Sequence, residues 1–141
     1  MTTETKVSQD AGCDLDALVA DQVMGHPGRF VEHIRINDRW WDHRTWLPWE
    51  EEPDVPHGGT AVGQMPPRYS SDIEAAWRVV ERLRPEWRFL FQETPGRKWR
   101  AMFSSHSERE AWFMDDAETA PLAICRAALR ALAPRHSGNR R

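Results

Sequence analysis

The sequence predicts an α+β fold, an α-β-α sandwich with an antiparallel sheet of three to four strands and three helices. Three observations carry that prediction. Apolar residues recur at helical spacing in three separate segments, and two later runs alternate apolar with polar residues on either side of Thr94-Pro95-Gly96. The length of 141 residues supports one core but not two ordinary ones. A single domain is expected over 14–133, with a disordered tail at 1–13 and a disordered basic tail at 134–141.

The first helix is expected from Asp14 to Met24. Leu15, Leu18, Val19 and Val23 form its apolar spacing, Asp14 can cap its start, and Gly25 can end it. A weakly alternating strand follows from Phe30 to Ile36. The stretch 40–67 is the least regular, because Trp40, Trp41, Trp46 and Trp49 lie among five prolines and three glycines; a long loop, or a strand followed by one, fits it best. At Ser71-Asp72-Ile73-Glu74 the spacing of a capping box opens a second helix. Its apolar stripe is Ile73, Ala76, Trp77, Val80 and Leu83, and Pro85 ends it. Trp87, Phe89 and Phe91, then Trp99, Ala101 and Phe103, define a hairpin, and Glu110 to Met114 adds a third strand before exposed Asp115 and Asp116. The last helix runs from about Thr119 to Leu132. It buries Leu122, Cys125, Leu129 and Leu132.

Composition excludes several function classes. Mean hydropathy is -0.72 and no apolar run is long enough to cross a bilayer. Residues 1–56 hold 12 acids against 5 bases, and residues 57–141 hold 10 acids against 14 bases. That mixed field lacks the broad basic face a duplex-DNA binder needs. The polar start has no secretory pattern, so a cytoplasmic protein is expected. Neither the six histidines nor Cys13 and Cys125 show metal-ligand spacing, and no cofactor motif is present.

Three stretches share a further likeness: Leu18 to Gly25, Pro67-Arg68-Tyr69-Ser70-Ser71-Asp72-Ile73-Glu74-Ala75-Ala76-Trp77, and Thr119 to Leu129. Together they resemble the phage ABA sandwich domain, over about residues 14–133. The resemblance implies an α-β-α arrangement around an antiparallel sheet, a phage or prophage origin and a bacterial host cell, and it implies no reaction.

Two regions are candidates for ligand binding. Trp40, Trp41 and Trp46 offer ring faces to a planar base, with His43 or Arg44 beside them for a phosphate. Tyr69, Ser70 and Asp72 precede or open a helix whose unpaired amides suit an anion, and Arg126 adds a charge from the last helix. No catalytic motif surrounds Asp42-His43, Ser70 or Cys125, and Cys125 falls on an apolar face. The expected function is therefore non-enzymatic. A small anionic, nucleotide-derived ligand, such as a bacterial immune signal, would be sequestered by a homo-oligomeric anti-defence protein. The alternative is an interaction module that docks on a host or phage protein through its Trp-rich surface.

Overall fold

In a computed structural model of the chain, the described residues are 10–36, 38–49, 54–55, 62–107 and 112–138. Helix α1 (Cys13–Gln22) leads into the hairpin β1 (Gly28–Ile36) and β2 (Arg39–Pro48), beside which β3 (Asp54–Val55) lies parallel to the end of β1. Helix α2 (Ile73–Leu83) precedes the antiparallel sheet of β4 (Trp87–Glu93), β5 (Trp99–Ser105) and β6 (Trp112–Ala117), and α3 (Ala120–Gly138) follows. Three helices with antiparallel strands make the α+β sandwich-like arrangement the sequence predicts. The strands divide between two sheets, ordered β2-β1-β3 and β4-β5-β6.

α3 is the hub. It lies on β5 and β6 and packs against α2 and α1. Its small residues Ala123, Ala127, Ala128 and Ala131 are buried with Ile124, Cys125 and Leu129, whereas Leu122 and Leu132 are only partly buried. A helix contacted from several sides buries more than one stripe, which is why the alanines enter the core alongside the expected Cys125 and Leu129. Burial also holds the Cys125 thiol well above the usual thiol range. The helix continues through Pro134, past the end expected at Leu132. Residues 1–9 and 139–141 of the expected tails lie outside the described residues.

The inward face of α2 keeps Ala76, Val80 and Leu83 of the expected stripe but is rotated toward Ala75 and Val79. Ala75, Ala76, Val79, Val80 and Leu83 are buried, while Ile73 and Trp77 remain exposed. Small side chains let α2 come close to the alanine face of α3, and Trp77 is left at the margin, edge-on to Phe89 at 5.8 Å. The cap differs too: Asp72, not Ser71, is the N-cap, and its carboxylate accepts from the Glu74 amide.

The inner face of the second sheet carries one aromatic row. Phe89, Phe103 and Phe113 sit opposite one another across the strands, with Phe89 and Phe103 rings 4.9 Å apart. Asp115 and Asp116 belong to β6 and are ion-paired, not exposed turn residues. Asp116 accepts from Arg100 Nε at 2.7 Å, and Asp115 lies 3.7 Å from both Arg126 and Arg130.

Candidate functional site

β2 occupies residues 40–48 of the stretch 40–67, where the sequence allowed a strand followed by a loop, and pairs with β1 as a hairpin. Its register places Ile34 opposite Trp41 and Arg35 opposite Trp40, with a shift between Val31 and His33. Successive strand residues project to opposite faces, so Trp40 and Trp41 stand on opposite sides of the ribbon. Trp40 is 56% exposed and Trp41 38% exposed. Farther along, Trp49 is also 56% exposed. Arginines cover two of these rings: Arg39 lies 4.5 Å over Trp41 and Arg29 lies 5.0 Å over Trp49. Guanidinium stacking of this kind shields an exposed indole and keeps it oriented.

Trp46 behaves differently. It faces Phe30 across the hairpin, and only 7% of its surface is exposed. A Cβ on Gly28 would lie 2.6 Å from its six-membered ring, so the indole covers the glycine backbone closely. The Trp46 amide donates to Gln64 O at 2.7 Å, and the Gly63 amide donates to Thr45 Oγ1 at 2.8 Å. These bonds hold residues 63–64 beside β2 and bring Pro67 and Tyr69 toward Trp46. Between them is a cavity of about 420 Å³ lined by Trp46, Tyr69, His26, Pro27, Pro48 and Pro67 among others.

The remaining expected site residues do not converge there. His43 is exposed and its Nδ1 pairs with Arg44 O at 3.3 Å. Arg44 lies 4.0 Å over Phe30 and bridges to Asp14 at 3.1 Å, which ties the hairpin to the start of α1. Ser70 is fully buried, with its amide and hydroxyl both donating to Asp16. Asp72 caps α2, and Arg126 faces Asp115. Thus Trp46 and Tyr69 are brought together, and His43, Arg44, Ser70, Asp72 and Arg126 are spent on local structure. Asp42, adjacent to His43, instead pairs with His33 at 2.7 Å.

Burial pushes the Tyr69 hydroxyl above its ordinary value, partly opposed by the positive charge of Arg78. Tyr69 is therefore a neutral phenol at physiological pH. Among the described residues, no group of three or more His, Cys, Asp or Glu is placed to hold a metal ion, and no helix is long and apolar enough to cross a membrane.

The phage ABA sandwich domain model matches residues 17–129. The chain belongs to this family. Residues 17–129 of the ABA sandwich domain take in the second half of α1, the hairpin, α2, the second sheet and the first half of α3, so both Trp46 and the exposed tryptophans lie within it. No curated protein and no solved structure matches the chain.

One apolar surface escapes a sequence reading centred on tryptophan-rich loops. Leu90, Met102 and Met114 stand directly opposite one another on the outer face of β4-β5-β6, with Leu90 52% and Met114 40% exposed. Their alternation with Phe89, Phe103 and Phe113 was legible, but both faces of these strands carry apolar residues, so alternation alone did not mark which one is uncovered.

Proposed function

We propose that this ABA sandwich domain is a non-catalytic binding protein that docks on a protein partner through the β1–β2 ribbon. The observation that carries the reading is the exposure of Trp40, Trp41 and Trp49 beside stacked arginines. Tryptophan and arginine dominate the residues that supply most binding energy at protein interfaces, and an indole held in place loses little entropy on docking. The placement of Trp40 and Trp41 on opposite sides of one ribbon suits a wedge that enters a cleft, with Arg39 available to carboxylates on the cleft rim.

A nucleotide-derived anion sequestered by the domain is the less supported reading, because Arg44, Ser70, Asp72 and Arg126 are engaged within the chain. A photoreactive phenylalanine analogue placed at Trp40 tests the docking directly in bacterial lysate. A discrete protein adduct from position 40, absent when the analogue replaces Leu90, is the expected outcome. No adduct, or the same adducts from both positions, would overturn it. Against the captured partner, Trp40→Ala and Trp41→Ala should each weaken affinity roughly 30-fold, about 2 kcal/mol.

A further inference from the structure

We propose that the free edge of β4, beside α2, takes up an extended peptide, the C-terminal segment of a partner protein, with its terminal carboxylate held at the start of β4. The inference is independent of docking through the β1–β2 ribbon.

Open backbone is the first argument. The Thr94 amide donates to Lys98 O at 2.7 Å and the His106 amide donates to Glu86 O at 3.1 Å, one bond at each end of the β4–β5 ladder. Hydrogen-bonded positions recur at every second residue of an antiparallel pair, so Arg88, Leu90 and Gln92 are the β4 residues bonded to β5. Phe89 and Phe91 therefore turn their N–H and C=O groups the other way. No strand lies on that side among the described residues, because β4 is at the margin of the order β4-β5-β6. The strand carries no proline, and its register with β5 runs without a shift. An edge of this kind is a template for one more strand.

Side chains along the edge supply the second argument. Trp77 of α2 stands edge-on to Phe89 at 5.8 Å, and the Phe89 and Phe91 rings stack at 6.0 Å. Ile73 lies one helical turn before Trp77 on the same face of α2. These are the large apolar residues that α2 leaves out of the core, 48% and 39% exposed, and Phe89 and Phe91 are only partly buried. An added strand would lay every second side chain against this apolar wall and bury it.

Charge is the third. At the start of β4 is a cavity of about 430 Å³ lined by Arg84, Arg88, Leu90, His106 and Trp112 among others. No described residue of its lining is acidic, and among the described residues neither Arg84 nor Arg88 has a carboxylate partner. Antiparallel addition is the more stable pairing, and it brings the C-terminal end of the peptide to this end of β4. A terminal carboxylate there meets two guanidinium groups that lack an anion. A peptide running the other way would place its ammonium group beside them.

Two synthetic peptides are suitable probes, acetyl-Thr-Val-Thr-Val-Thr-Val with a free terminal carboxylate and the same sequence ending in an amide. In a titration of the full chain followed by proton–nitrogen NMR, the acid should bind saturably and move the Phe89 and Phe91 amide signals more than that of Leu90, which is already bonded to β5. The amide-ended peptide should bind ~10-fold more weakly. Arg88→Gln changes an exposed residue and should narrow this preference while leaving the affinity for the amide-ended peptide unchanged. Absence of a saturable shift at millimolar acid would overturn the proposal. So would equal affinities for the two peptides on the parent protein, shifts confined to the β1–β2 ribbon, or a folded Arg88→Gln protein that keeps the full preference for the acid.

Discussion

The carboxylate of Asp16 accepts two hydrogen bonds from one residue, the amide of Ser70 at 2.7 Å and its hydroxyl at 2.6 Å. The Ser70 hydroxyl oxygen also accepts from the Gly12 amide at 3.0 Å, so a single serine joins the start of α1 to the turn before α2. Both partners are buried. Ser70→Ala removes the hydroxyl and leaves the Gly12 amide without its partner. The expected loss is about 1–3 kcal/mol of unfolding free energy, read as a lower urea midpoint at unchanged slope. A midpoint equal to that of the parent protein would show that the contact contributes nothing.

Two carboxyls should titrate on opposite sides of their ordinary value of 3.8. Burial raises Asp16, and the hydrogen bonds from Ser70 and the charge of Arg68 only partly offset it. Hydrogen bonding from Arg100 lowers Asp116. The signs for stability are therefore opposite. Asp16 contributes stability that is fully present below the unfolded value and is lost as pH rises through the raised folded value. Asp116 contributes stability present above the unfolded value and lost as pH falls through the lowered one. Carboxyl carbon NMR across the acid range checks both, and an Asp16 midpoint at or below that of Asp116 would contradict the assignment.

Gly28→Ala should disturb Trp46 before anything else. The added methyl would lie 2.6 Å from two ring carbons of the indole, so the ring must swing away or the hairpin must shift. Overpacking of this kind costs about 1–3 kcal/mol. Calorimetry should show a lower Tm, and the Trp46 indole signal should move more than those of Trp87 or Trp99; an unchanged Trp46 signal would argue against the close packing.

The turn between β4 and β5 carries its strain on an arginine. Arg97 has φ 66°, in the left-handed region where a side chain crowds its own backbone, although Gly96 is the preceding residue. Arg97→Gly should raise stability by about 0.5–1 kcal/mol, because relief of that crowding exceeds the extra freedom a glycine gives the unfolded chain. Chemical denaturation of the two proteins measures it, and a loss of stability would refute the idea.

Local patterns made part of this architecture legible. The hairpin β4–β5 follows from clean alternation around Thr94-Pro95-Gly96, and the start of α2 follows from the Ser71-Asp72-Ile73-Glu74 spacing, although Asp72 takes the cap expected of Ser71. The extent of β2 did not follow. Thr45, Trp46 and Leu47 are all buried, so both faces of the ribbon are covered there, whereas residues 39–44 are exposed; neither part alternates. Nor could sequence separate Trp46 from Trp40, Trp41 and Trp49, since its burial depends on Gly28 and on residues 63–69 returning to β2. Arg44 and Ser70 were legible as polar groups near promising neighbours, but their partners Asp14 and Asp16 lie 30 and 54 positions away. Only the closed fold reveals that they were already committed.

The position of α3 governs how this chain can be made. Everything before Ala120 leaves the ribosome without the helix against which α1, α2, β5 and β6 are packed. Until that helix emerges, the aromatic row of the second sheet is open to water and to other nascent chains. Consolidation of the domain must therefore wait for α3, and a translation product stopped short of it would be a substrate for chaperones and proteases instead of a smaller working domain.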